Sequence, residues 1–417
     1  MKQGKSAVTV VGAGIIGICC ALKLQMQGHQ VTVIDPRPAG TATSFGNAGV
    51  VADSMIMPYS APGLWKQLPW MLCSPMSPMK LRWRYLPRAL PWITRFFAQG
   101  TVARTRTLAG EIAELAKRSS TSHRELMRAH GIDATLMRST GTLKLYRNRS
   151  AINLDDLEHQ LMREHSIEFD VLDAQELRQL EPGVSREFVA AEYFPAMGHL
   201  AQSVSLTQAY AEAFESLGGR FVRESVRRFE IGAQGPYRVV TDLGMHDVDQ
   251  LVIAAGAWSR RLARLLGTDI PLDTERGYHI SVDWSDGVVV NRPIFDAEHY
   301  FVVAPMRDGL RITSGTEMGG LELEPDFSRI RRVLQRARSA VTGLTGEVNR
   351  EWMGYRPSMP DSKPVISRSP HFDRVFFAFG HGHFGLSHAA ITATLLSEMM
   401  AGAPTTVDVS PYRANRF

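Results

Sequence analysis

Cysteine is scarce in this chain. Its 417 residues include three, Cys19, Cys20 and Cys73, of which two are adjacent in an apolar run, and no C-x-x-C spacing occurs. That argues against a disulfide framework and a structural zinc site, so the expectation is a reducing, cytoplasmic setting with no metal. No apolar run approaches the ~18 residues of a membrane span; the mean hydropathy is -0.13. The start, Met1 to Lys5, leads straight into a strand-like run, without the apolar stretch and small-residue cleavage site of a secretory leader. Internal repeats, low-complexity linkers, an H-E-x-x-H motif and any nucleophile–histidine–acid arrangement are also missing.

The composition is otherwise that of an ordinary globular protein, 44% hydrophobic and 21% charged. A chain of 417 residues exceeds the ~250–300 at which single cores stop growing, so two domains are expected. The net charge is +5, and the pI is about 9.1. Such mild basicity permits an anionic partner without choosing one. No nucleic-acid-binding motif accompanies it, so no nucleic acid partner is expected.

The strongest signal lies at the N-terminus. Val8-Thr9-Val10-Val11 is a β-branched run suited to a buried parallel strand. It enters Gly12-Ala13-Gly14-Ile15-Ile16-Gly17, then a helical pattern closed by Gly28, then a second strand from Gln30 to Ile34 ending at Asp35. In a dinucleotide-binding unit the first glycine allows the tight turn, the second lets backbone approach a pyrophosphate, and the third lets helix pack on strand. The helix N-terminus favours phosphate, and an acid at the end of the second strand accepts from ribose hydroxyls. Gly12, Gly14, Ile15, Ile16, Gly17, Asp35, Pro36 and Arg37 are therefore candidate cofactor contacts, and the acid disfavours a 2′-phosphate.

Two later segments point to a flavin rather than a nicotinamide. Leu251-Val252-Ile253 runs into the small-residue turn Ala254-Ala255-Gly256-Ala257-Trp258-Ser259. Val375 to Ala378 reads as another buried strand, entering Gly380-His381-Gly382-His383-Phe384-Gly385 and a helix from about Leu386. That helix start is a second terminus able to stabilise negative charge, which a reduced flavin carries. With Thr43-Ser44-Phe45-Gly46-Asn47-Ala48-Gly49-Val50 and Trp352-x-Gly354-x-Arg356-Pro357-x-x-Pro360-Asp361, these motifs resemble the D-amino-acid oxidase/dehydrogenase-like family of FAD flavoproteins over essentially the whole chain. The stretch from Leu68 to Phe97 is most similar to the bacterial D-amino-acid dehydrogenase branch.

The resemblance implies an α/β fold, with a Rossmann-type FAD-binding domain (mostly parallel sheet) and an interleaved α+β substrate domain carrying an antiparallel sheet. The boundaries expected are 1–85, 192–273 and 351–417 for the first domain, and 86–191 and 274–350 for the second. It implies that Ser44, Gly46, Asn47, Ala48, Gly49 and Val50 line the flavin ring. Gly380, His381, Gly382, His383, Gly385 and Leu386 would close over the pyrimidine end, and Val226 would meet the adenine. Ala255, Gly256, Trp258 and Gly354 complete the set. The 41–50 loop holds no Cys or His, and no Cys follows Cys73, so FAD is expected to be non-covalent.

The implied reaction is oxidation of a D-amino acid, or of a cyclic secondary one such as D-proline or 4-hydroxy-D-proline. Hydride passes from Cα to flavin N5, and the imine hydrolyses to a 2-oxo acid. Arg356, at the Gly-x-Arg-Pro position, is the expected clamp on the substrate carboxylate, because a planar guanidinium binds one in bidentate fashion. Arg276 and Tyr278 alternate onto one strand face and are second candidates, with His279 on the other face; His383 is a further candidate. A quinone-type acceptor is expected. Oxygen, as in a glycine/sarcosine-type oxidase, and a flavoprotein subunit within a larger electron-transfer assembly stay open.

From Met55 to Phe97 the chain carries Trp65, Trp70, Trp83 and Trp92 among six basic residues, with no Asp or Glu after Asp53. Two readings stand: peripheral contact with the inner face of the cell membrane, or a helical lid on the substrate domain. The oligomeric state is not legible.

Overall fold

The structure, a computed structural model, describes residues 6–67, 77 and 79–417. Met1–Lys5 and, within the basic tryptophan-rich segment, Leu68–Met76 lie outside the described residues.

The β-branched run Ala7–Val11 is buried from Val8 onward at the middle of a six-stranded sheet. Across the sheet the order is Val365–Arg368, Val375–Phe379, Gln250–Ile253, Ala7–Val11, Gln30–Ile34 and Arg220–Val222. Only Val365–Arg368 runs antiparallel to its neighbour. Alternation decides what each face meets. Val8, Val10, Val31, Val33 and Val252 face the helices Ile15–Met26, Ser203–Ser216 and Gly385–Ala401, in a core that also takes in Cys19 and Cys20. Val11, Ile34, Leu251, Ile253 and Phe377 face a three-stranded sheet spanning 226–247 and the helix Ser259–Leu265.

The second sheet has nine strands among the described residues. Val348–Ser358 pairs with Asp273–Val282, followed by Gly309–Met318, Phe301–Met306, Ile294–Asp296, Thr142–Tyr146, Ala190–Phe194 and Asp170–Asp173. It is antiparallel except where Ile294–Asp296 meets Thr142–Tyr146 and where Met79–Leu81 joins Thr316–Met318. Helix Ser328–Ala340 lays Ile330, Val333, Leu334 and Ala337 on it, the spacing of one helical face.

Sheet membership moves two of the boundaries drawn from sequence. Met79–Leu81, assigned to the first domain, and Val348–Ser358, mostly assigned there, belong to the second sheet. The reason is pairing length: Val348–Ser358 runs beside the whole of Asp273–Val282 before the chain returns to the first sheet at Val365.

Candidate active site

Five parallel strands of the first sheet point the same way, and the loops after four of their carboxyl ends carry the motifs: Gly12–Gly17, Asp35–Arg37, Ala254–Trp258 and Gly380–Gly385. The helix that follows Ala7–Val11 packs on one face of the sheet and the helix that follows the adjacent Gln250–Ile253 on the other, the arrangement that leaves a crevice for a nucleotide at the carboxyl edge.

Local geometry there fits FAD. Gly12 has φ +116°, and a Cβ on it would fall on the Ala254 carbonyl; one on Gly17 would fall on the Gly12 carbonyl. Gly14 is different. Its only near neighbour would be Ser44 Oγ at 3.5 Å, so packing does not require glycine, and a side chain would instead fill the space before the helix end. Helix Ile15–Met26 has no side-chain cap and no acid in its first turn, leaving its N-terminus electropositive. Ile15 N donates to Ser44 Oγ at 3.0 Å. Asp35 is held by Ala13 N and Arg37 N, each at 2.8 Å. The Arg37 guanidinium stands 5.6 Å from the Trp258 ring, and Trp258 packs edge-on against Tyr355, joining the second and third loops. Val226 opens the outer hairpin strand and, like Ala255, packs against the adjoining core.

The Thr43–Val50 loop is fixed from three sides. Thr43 Oγ1 donates to the Tyr355 carbonyl, and Gly49, at φ +73°, donates to Asn47 Oδ1. Arg311 donates to the carbonyls of Phe45 and Asn47, at 3.2 and 2.7 Å. His279 Nδ1 donates to the Gly46 carbonyl at 3.0 Å, and its ring stacks on Trp352. Burial pulls the imidazole of His279 down to about 3 and the Arg311 guanidinium to about 10. Nε2 of His279 and Nε2 of His199 are buried without a partner among the described residues, polar atoms that await a group beside this loop. At the other end, Ala52 N donates to Ser387 Oγ, tying the 43–52 segment to the last helix. That helix starts at Gly385 without a side-chain cap or an acid in its first turn, after Gly380 and Gly382 at positive φ. His381 is buried and its Nε2 meets Thr392 Oγ1 at 2.9 Å, a structural contact.

Arg356 crosses the face of the second sheet. Its guanidinium lies on Gly277 of the neighbouring strand and donates to the Gly315 carbonyl at 3.0 Å. Around it stand Glu275, Tyr59 and His383; the Tyr59 and His383 ring centroids are 4.5 Å apart. Burial, then Arg356, holds His383 well below the usual imidazole range, so it is neutral.

Arg276 and Tyr278 do not join this group, which corrects the expectation from sequence. They share a face, but it is the opposite one. Arg276 is fully buried, donates to the carbonyls of Gly320 and Leu323, and pairs with Glu317 at 3.3 Å. The Tyr278 hydroxyl donates to Glu317 at 3.0 Å, and its ring packs on Phe327. Since side chains alternate, Glu275, Gly277 and His279 take the side facing Arg356 and the 43–50 loop. Glu275, Arg311, His199 and Tyr59 were missed because no local motif marks them. The alternation through Glu275-Arg276-Gly277-Tyr278-His279 was the one available signal, and it was assigned to the wrong face.

Helix Leu86–Ala98 covers the group. Ala89, Trp92 and Phe96 pack with Met318, and Trp92 Nε1 donates to the Ser358 carbonyl at 3.1 Å. The lid reading thus describes this helix. Trp65, Trp83 and Leu90 remain exposed on the outside. Among the described residues no helix is long and apolar enough to cross a membrane, and no cluster suited to a metal ion occurs.

Comparison with known proteins bears on all of this. Residues 7–399 match the family described as FAD dependent oxidoreductase, DAO. A D-amino-acid oxidase of Bradyrhizobium diazoefficiens is 31% identical over 424 positions, spanning all of both chains. A D-amino acid dehydrogenase of Rhodopseudomonas palustris is 30% identical, covering 98% of this chain and 97% of its own. Glycine oxidase from Geobacillus kaustophilus superposes with a TM-score of 0.76 at 20% identity over the full length of both, and L-proline dehydrogenase from P. horikoshii with 0.75 at 19%, over 100% of this chain and 98% of that one.

Proposed function

The chain belongs to the DAO family of FAD-dependent oxidoreductases, and on that premise we propose that it oxidises a D-amino acid, or a cyclic secondary one such as D-proline or 4-hydroxy-D-proline, to an imine that hydrolyses to the 2-oxo acid. The observation that carries this reading is Arg356: a guanidinium with no ion-pair partner among the described residues, laid on a glycine and surrounded by Glu275, Tyr59 and His383. Bound FAD supplies the two-electron oxidant. Gly12, Gly14, Gly17 and Asp35 would hold its dinucleotide part, and the 43–50 and 380–386 loops its ring, without a covalent bond. Arg356 fixes the substrate carboxylate, so that Cα presents one face to the ring. Helix Leu86–Ala98 keeps water out of that space.

A panel of D-, L- and N-methyl amino acids with a dye acceptor, each also scored for peroxide under air, tests the reading. Turnover of D-substrates without peroxide is expected. Inactivity on the whole panel would overturn it, and peroxide release would favour an oxygen-using amine oxidase. Acid precipitation should leave the flavin in the supernatant. For the acceptor we propose a quinone reached at the membrane surface, because exposed Trp65, Trp83 and Leu90 sit beside Lys66, Arg84 and Arg88. Flotation with anionic vesicles should carry the wild-type protein and lose a W65S/W83S variant; equal flotation of both would refute it.

A further inference from the structure

One buried carboxylate in the site has no task so far. Glu275 stands opposite Arg356 in the ladder between Asp273–Val282 and Val348–Ser358, in phase with Gly277 and His279. It is 8% exposed and lines a small cleft together with Tyr59, Phe96, Ser358 and His381.

Other buried glutamates in and beside the second sheet are paired. Glu317 meets Arg276, Lys80 and Arg82; Glu192 meets Lys144 at 3.2 Å; Glu181 meets Arg292 at 3.1 Å. Glu275 has no lysine or arginine within 4.0 Å among the described residues. Its one basic neighbour at that range is His383, with Nδ1 3.8 Å from Oε2, and that Nδ1 has no hydrogen-bond partner. An unpaired carboxylate is costly to bury. Burial pushes Glu275 up to about 7, against the pull of Arg356 and the Ser358 hydroxyl. Arg356 is equally without an ion pair. A buried carboxylate and a guanidinium therefore stand on neighbouring strands, where cross-strand positions lie ~5 Å apart, without closing into an ion pair.

An α-amino acid carries the complementary pair of charges. We propose that Glu275 is a further catalytic residue, which holds the α-amino group of the substrate and accepts its proton before Cα is oxidised. The inference rests on the amino-acid reading above. The step balances simply. The ammonium gives one proton to the Glu275 carboxylate, leaving a neutral amine and a carboxylic acid, and no electrons move. The freed nitrogen lone pair then forms the C=N bond as the Cα–H electron pair leaves for the bound oxidant. The groups facing Glu275 are Arg356 from the paired strand, Tyr59 from the 52–63 loop, His383 and His381 from the final loop, and Asp273 on its own strand.

The test compares FAD-loaded wild type, Glu275→Gln and Glu275→Asp between pH 5.5 and 10, with a dye acceptor and the best substrate of the panel. Wild-type kcat/KM should rise through a limb near neutral pH. In Glu275→Gln that limb should move up toward the ionisation of the free substrate amine, and KM near neutrality should rise about tenfold to a hundredfold, as for loss of a charged hydrogen bond. An amine-free aliphatic carboxylate should perturb the flavin absorbance equally in both, showing that the fold and the Arg356 contact survive. A Glu275→Gln enzyme with that perturbation but an unchanged KM and limb would overturn the proposal. If Glu275→Gln fails to fold, Glu275→Asp decides: a retained limb supports the role and a lost one overturns it. A wild type inactive on every amino acid would instead overturn the reading beneath it.

Discussion

The guanidinium of Arg356 lies against the Cα of Gly277, where a methyl group would stand 2.7 Å from Nε and closer still to Cζ and Nη2. Gly277 is not at positive φ, so its backbone does not demand glycine. The arginine does. Gly277→Ala should therefore displace an unaltered Arg356, and KM for the amino acid should rise roughly tenfold to a hundredfold, the usual cost of misplacing a binding group by about an ångström. FAD content should be unchanged. Steady-state kinetics with a dye acceptor would show it, and an unaltered KM would mean that Arg356 does not set the substrate.

Arg356→Ala removes the clamp itself. Loss of a charged bidentate contact worth about 3 kcal/mol corresponds to ~10²-fold in KM. Arg356→Lys should recover little, because an ammonium cannot reproduce the planar fork. A variant that keeps its KM for a carboxylate substrate contradicts the role.

Arg276→Ala should behave in the opposite way. It strands Glu317, and removing one partner of a buried pair costs about 3–5 kcal/mol. Denaturant unfolding should lose that much stability, although Lys80 and Arg82 near the same carboxylate moderate it. The KM of the folded fraction should stay put. Full stability with a raised KM would bring Arg276 back to the substrate.

Gly12→Ala forces a Cβ onto the Ala254 carbonyl at a backbone angle that L-residues rarely adopt. The turn before the first helix must shift, and its N–H groups leave the phosphate position. Purified protein should be depleted of flavin, with FAD affinity at least roughly tenfold weaker by fluorescence titration. A fully yellow Gly12→Ala protein would count against the turn as the cofactor cradle.

Stability should fall on mild acidification. Burial lowers His123 and His199 to about 4, and His279 and His388 to about 3, from 6.5 in the unfolded chain. Below pH 6.5 the unfolded chain binds protons that the fold does not, so the stability from these groups is lost as pH falls toward 4. Glu275 acts in the opposite sense: its pKa is raised from 4.5 to about 7, so its contribution is present below 4.5 and lost as pH rises through 7. His130, His381 and His383 are lowered too, while Asp53, Glu181 and Asp273 are raised like Glu275 and His159 is raised; seven lowered histidines against four raised carboxylates and one raised histidine set the net direction. The melting temperature should drop between pH 7 and 5, and a flat profile would contradict the buried neutral histidines.

Much of this protein was legible in its sequence because the decisive signals are local. Strand, Gly-x-Gly-x-x-Gly turn, helix and Asp35 lie within about thirty residues, and Gly12 and Gly17 are each dictated by a neighbour one strand or one turn away. Period-two alternation likewise put Arg276 and Tyr278 on one strand face and His279 on the other, as Asp273–Val282 has them. Alternation says which residues share a face, but not what that face meets. Whether Arg276 or Glu275 looks toward Arg356 depends on pairing with a strand some eighty residues later and on helix Ser328–Ala340 filling the other side. The placement of Glu275, Tyr59 and His383 around one guanidinium was decided by tertiary structure alone, because long-range packing brings together groups that no spacing in the chain connects.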